Sequence, residues 1–184
     1  MTGVDNLRGK LLIASPALFD PNFRRTVVLI TEHNDEGAMG LVLNRPAAVT
    51  VADVVPELET LADGEAHVHI GGPVSPGALI VLAEFDDVSQ AAALITGDLG
   101  FIPADHDHGE LADTTRRARV FAGYSGWGPE QLESEMDEES WIVVPARPDD
   151  AFAEDPDELW RTVLRRKGGR FSLLETLPED PSLN

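Results

Sequence analysis

The chain has 184 residues, enough for one domain with a sizeable core, and its 42% hydrophobic and 26% charged residues are a globular rather than a disordered balance. Asp and Glu number 33 against 14 Lys and Arg, a formal net charge of −19, and such a field disfavours nucleic-acid backbones and anionic membranes as direct partners. Cysteine is absent, which excludes disulfides, thiolate catalysis and Cys-ligated zinc or iron–sulfur centres.

Met1 to Arg8 lack the basic start and apolar run of a signal peptide. The apolar runs, such as Ala78 to Ala83, fall far short of the ~20 residues a membrane helix needs. A cytoplasmic protein without a membrane partner is expected. Leu11 to Ala14 read as a first short strand, stopped by Ser15-Pro16. Arg25 to Thr31 are β-branched and continuously apolar at their centre, the pattern of a strand covered on both faces. Asn34 to Gly37 supply turn residues and Met39 to Leu43 the returning strand, so a β-hairpin is predicted.

Thr50 followed three residues on by Asp53 has the form of a capping box, and Val51, Val54, Val55, Leu58 and Leu61 keep helical spacing. Pro56 inside that pattern predicts a kink or two short pieces. Val68 to Ile70 read as a strand, Gly71-Gly72-Pro73 as a tight turn, and Leu79 to Phe85 as another strand. Arg119 to Ala122 read as a strand feeding a turn over Gly123 to Gly128, after which Pro129 opens a helix carrying Leu132 and Met136. Trp141 to Val144 form a further strand. In the last helix Asp155 is the N-cap, Pro156 the first residue and Glu158 the acid of a second capping box. Leu159, Trp160, Val163 and Leu164 are its apolar stripe, and Gly168-Gly169 its end. Strands outnumber helices and mix with them irregularly, which argues for α+β.

Several of these segments, in order, resemble the bacterial YqgE/AlgH family. They are Leu11 to Pro16, Asp20 to Phe23, Thr26 to Ile30 with Glu32-His33-Asn34, and Gly37-Ala38 with Gly40 to Pro46. Gly71 to Val74, Gly123 to Gly128, Gln131 to Glu133 with Glu135, Trp141, Phe152 and Leu159-Trp160 continue the likeness. It implies a single domain over residues 1–184, α+β, with a mixed, curved, partly barrel-like sheet flanked by helices. The family is largely uncharacterised, and part of it carries the label of a transcriptional regulator of alginate synthesis. The sequence departs from the family at Ser125, where Ala is commoner, and around Asp105 to His108.

Gly123-Tyr124-Ser125-Gly126-Trp127 falls one residue short of the Gly-x-Ser-x-Gly nucleophile elbow, because Trp127 stands where a small residue is needed. A glycine turn that packs Tyr124 and Trp127 inward is the better reading, and no catalytic residue is assigned. His67, His69 and the Asp105 to His108 segment contain ligand types for zinc, yet nothing in the sequence brings them together, so no metal or other cofactor is expected. Glu130 to Glu139 read as a solvated helix face, and Arg161, Arg165, Arg166, Lys167 and Arg170 as cations closing a helix.

His33, Asn34, Asn44 and Arg45, with Asn22 and Glu32 nearby, are the candidate ligand-binding set. If the two pairs flank one end of the hairpin, they could hold a carboxylate or phosphate. Otherwise Asn34 and His33 shape the turn and Arg45 meets a nearby acid. The leading expectation is a non-enzymatic regulatory or binding protein working through a protein partner. The alternatives are a small-molecule or anion-binding domain and, third, a hydrolase.

Overall fold

The computed structural model describes residues 6–16, 18, 23–105 and 107–176. Among the described residues, ten strands run in chain order: β1 Lys10–Ala14, β2 Val27–Asn34, β3 Gly37–Val42, β4 Pro46–Thr50, β5 His67–Ile70, β6 Val74–Phe85, β7 Ala93–Thr96, β8 Leu99–Phe101, β9 Thr115–Trp127 and β10 Trp141–Pro145. The α-helices are α1 Val51–Val54, α2 His108–Ala112, α3 Gln131–Asp137 and α4 Pro156–Lys167. The strands join one open sheet in the order β10-β1-β2-β3-β9-β6-β8-β7, with β4 and β5 branching from β9. Only the β5–β9 pairing is parallel among the described strands. The fold is α+β, as expected. Its sheet is not closed into a barrel.

Both faces of the sheet are covered at β2, which is why it has no polar alternation over Val27 to Ile30. Val27 and Leu29 point to one core with Leu11, Ile13 and the α4 stripe of Leu159, Trp160, Val163 and Leu164. Val28 and Ile30 point to the other face, with Leu12, Trp127, Trp141 and Leu132 of α3. A third cluster places Val51, Leu58, Leu61 and Leu111 over Val68 and Val120. Each such side chain contributes about 1.5–3 kcal/mol by leaving water.

The caps follow the sequence closely. Thr50 and Asp53 form the reciprocal box at α1, and Pro56 starts a separate 3₁₀ turn over Pro56–Leu58. Asp155 Oδ1 accepts from the N–H groups of Asp157 and Glu158 at 3.0 Å, with Pro156 at the first turn of α4. The carboxylate of Glu158 does not complete a second box. It accepts from Arg165 at 3.1 Å and Thr162 at 3.3 Å. Arg165, Arg166 and Lys167 do close the last turn of α4, and Gly168 ends it at φ 74°.

Two predicted turns are corrected. Gly123 to Trp127 continue β9, whose first part pairs with β6 and whose last residues pair with β3. Gly71-Gly72 runs alongside it as extended chain: Gly71 N–H donates to the Ala122 carbonyl, and Val42 N–H donates to that of Gly71. A Cβ at Gly71 would lie 2.3 Å from the Gly123 oxygen, and one at Gly123 2.6 Å from the Gly72 oxygen. The glycines serve close approach of two distant segments, not a local turn. Nor does Pro129 open α3. Glu130, at φ 61°, precedes its first residue Gln131, whose Oε1 accepts from Gly128 N–H at 3.0 Å.

Candidate functional site

The hairpin register separates the predicted ligand set. Asn34 pairs with Gly37 and His33 with Ala38 at the turn, whereas Val28 pairs with Val42 at the far end, next to Asn44 and Arg45. At about 3.3 Å per residue, the two halves stand roughly 20 Å apart. The end of one antiparallel strand meets the start of the next, so His33-Asn34 and Asn44-Arg45 fall at opposite ends of the hairpin.

Each member has work where it sits. Asn34 Oδ1 accepts from Glu36 N–H at 2.8 Å and shapes the turn. Asn44 Oδ1 accepts from Val27 N–H at 3.0 Å, while its amide donates to the Arg25 carbonyl at 2.9 Å and to that of Pro156 at 3.4 Å. It thereby ties the start of β2 to the entry of α4. Arg45 donates to the Arg24 carbonyl at 3.4 Å. Asn22 lies outside the described residues.

His33 is buried, and its neighbours fix its tautomer. Leu7 N–H donates to Nδ1 at 3.0 Å, so the ring proton sits on Nε2 and points to Glu133 Oε1 at 2.7 Å. Burial opposes the charge on Glu133, but a backbone hydrogen bond and the one from His33 outweigh it and hold the carboxyl below its ordinary pKa. Glu135 Oε1 accepts from the indole N–H groups of Trp127 and Trp141, at 3.2 and 3.0 Å. The acids of α3 are therefore not simply a solvated face. Two of them anchor buried donors, a role that helical spacing alone could not reveal.

Ser125 does not sit as an exposed nucleophile. It is fully buried, and its hydroxyl donates to the Gly71 carbonyl at 3.1 Å. Among the described residues no three His, Asp or Glu side chains cluster to hold a metal ion; His106 lies outside them. His67 Nδ1 donates to the Ala47 carbonyl at 2.8 Å, and His69 Nδ1 to that of His67 at 3.1 Å.

His69 packs on Phe121, is 6% exposed, and has its pKa lowered to about 4, first by burial and then by the charge of Arg119. Unfolded, it takes up a proton near pH 6.5, so the folded state binds less proton than the unfolded one between about 6.5 and 4. Stability is therefore expected to fall as pH drops through that window, by on the order of 2 kcal/mol from this residue. Urea titrations of the wild type and His69→Gln across pH 4–7 check it. The wild type should lose more stability on acidification than the variant, and parallel losses would rule the residue out as a cause.

One stretch of sheet is left without cover. Ile70 of β5 and Leu79 of β6 both pair with Ala122 of β9, so their side chains share one face. Ile70 is 44% exposed and Leu79 40%, whereas Val74 pairs with Tyr124 beyond a register shift and lies on the side of the α4 core. On the same face lie the core under α1 and α2, which includes Val68 and Val120, and the core under α3, which includes Trp127. No sequence period marks this strip, because β6 reads as an ordinary strand until its neighbours are known.

The fold and these contacts define an acidic α+β protein whose prominent polar residues are mostly spent on its own architecture. The chain belongs to the AlgH-like family: the model for DUF179, AlgH-like, matches residues 11–172. It is 43% identical over 190 residues to a UPF0301 protein of Streptomyces coelicolor, covering 100% of this chain and 98% of that one. A UPF0301 protein of Mycobacteroides abscessus is 40% identical, over 96% and 87% of the two chains. The crystal structure of a Corynebacterium diphtheriae protein superposes with a TM-score of 0.84 at 28% identity, covering 92% and 91%. The solution structure of the AlgH protein from Pseudomonas aeruginosa gives 0.73 at 31% identity, covering 97% of each. Among the described residues no helix is long and apolar enough to cross a membrane.

Proposed function

We propose that the protein is a non-enzymatic binding protein that works through a protein partner docked on the strip of Ile70 and Leu79. The observation that carries this reading is the exposure of two apolar side chains that flank Ala122 of β9 from either side, between two covered stretches of the same sheet face. A contiguous apolar surface of that kind favours association, whereas single exposed residues do not. The net charge of −19 favours a partner with a basic rim around an apolar centre. The same charge disfavours direct contact with DNA, so a regulatory role would run through that partner.

The test is capture from native lysate with the wild type and with Ile70→Thr/Leu79→Thr. Threonine keeps strand propensity and removes apolar surface, and substitutions at exposed positions usually change stability by no more than about 0.5 kcal/mol. The double variant should keep its urea midpoint and lose the proteins that the wild type retains. Retention of the same proteins by both would overturn the assignment of this face.

A further inference from the structure

Beside β9 lies a cavity of about 220 Å³ that the partner reading does not use, walled by Arg119, His67, Val51, Ala66, Val120 and Phe152 among others. Two arginines of β9 reach it, and they differ in one respect. Arg117 is committed: its guanidinium donates to Glu84 and Asp149 and stacks 4.4 Å over the ring of Phe152. Arg119 spends Nη1 on two backbone carbonyls, Ala151 at 3.1 Å and Ala153 at 2.7 Å. Those bonds fix the plane of the guanidinium. Among the described residues, Nε and Nη2 of Arg119 have no acceptor, and the carboxylate of Glu154 acts on it through its charge without forming an ion pair. Burial lowers its pKa, which is the mark of a desolvated cation, though a guanidinium stays charged.

We propose that this cavity is a binding site for a small monocarboxylate with a short apolar tail, held by the Nε–Nη2 edge of Arg119. That edge carries parallel N–H donors whose spacing matches the two oxygens of a carboxylate. Val51, Val120 and Phe152 offer the tail an apolar wall. The volume is below the 300–1,000 Å³ usual for larger ligands and limits the occupant to a few heavy atoms. Two exposed carboxylates in the lining, Asp63 and Glu154, repel an anion in proportion to its charge, so they oppose a phosphate dianion more than a monocarboxylate. Positions Arg117 and Arg119 alternate with Ala118 and Val120 in an ordinary strand pattern, so the sequence does not distinguish the committed arginine from the open one.

The probe is isovalerate, followed by amide-shift titration of the full chain, with isovaleramide and inorganic phosphate alongside. A tripeptide with a free C-terminal leucine distinguishes a peptide terminus from a free acid as the source of the carboxylate. Isovalerate should give saturable shifts centred on Ala118 to Val120 and on Phe152, and should bind more tightly than phosphate or the amide. Arg119→Gln should weaken it about tenfold or more, as loss of a charge-assisted bidentate contact requires. Because Arg119 also holds two backbone carbonyls, Ala66→Leu is the second variant. It fills the cavity, leaves the guanidinium in place, and should weaken isovalerate to a similar degree. Absence of saturable shifts in the wild type, preference for phosphate, or equal affinity of the Ala66→Leu protein would each overturn the proposal. Tight binding of the tripeptide with weak binding of isovalerate would overturn the free-acid assignment.

Discussion

Trp127→Ala is expected to cost about 3–5 kcal/mol, the range for truncating a buried aromatic and a large share of a typical 5–15 kcal/mol stability. Trp127 is 5% exposed although it ends a strand. Its ring lies 6.2 Å from that of Phe23 in a stacked pair and 6.1 Å from that of Trp141 edge-on, while Phe23 and Trp141 meet at 5.6 Å. Such pairs add about 0.5–1.5 kcal/mol beyond the area they bury. The indole N–H donates to Glu135, the same oxygen that serves Trp141. Truncation thus opens a cavity between the rings of Phe23 and Trp141 and leaves Glu135 with one of its two indole donors. Urea unfolding of the variant beside the wild type is the measurement. An unchanged midpoint with loss of a bound partner would mean that the indole faces outward as an interface anchor.

Asp150→Ala is expected to cost about as much, some 3–5 kcal/mol, for a different reason. Asp150 is 4% exposed and takes two bonds from the Arg166 guanidinium, at 2.9 and 2.6 Å. It also accepts from Arg147 N–H at 2.7 Å, which fixes the 3₁₀ turn Pro148–Phe152 against α4. Removing the carboxylate leaves a part-buried guanidinium without its counter-charge, and that uncompensated desolvation is the main loss. Replacing both partners, as Asp150→Leu with Arg166→Met, should recover most of it, because neither charge then has to leave water. A thermal or urea midpoint for Asp150→Ala near that of wild type would show that water reaches the pair freely. A double variant no more stable than the single one would show instead that the lost bond to Arg147 N–H, and not the bared guanidinium, is the main cost.

Much of the local architecture was legible because its causes act within a few residues. The unbroken apolar run of β2 announces burial on both faces, and Pro56 breaks the helix that Thr50 and Asp53 begin. Asp155, Pro156 and Gly168 bound α4 where a side-chain cap and a left-handed residue must fall. The inward packing of Trp127 was also legible, though it ends a strand and not a turn. Two local readings failed, Pro129 at the start of α3 and Glu158 in a capping box, and so did readings that needed a partner far along the chain. His33 and Asn44 look adjacent in a hairpin until the register puts them at opposite ends. Gly71 and Gly123 look like turn glycines until each is found to make room for the other's backbone.

The charges divide in the same way. Sequence determined that the protein is acidic and α+β and which helix stripe faces the core, because composition, period and capping are local properties. Only the tertiary structure decided which charges are spent. It set Glu133 on His33, Glu135 on two indoles and Asp150 on Arg166. It also left Arg119 facing a cavity with only backbone carbonyls on one side of its guanidinium. The physical reason is that an ionised side chain carries the same residue name whether paired or open, and strand register, which joins residues as far apart as Lys10 and Pro145, chooses between the two.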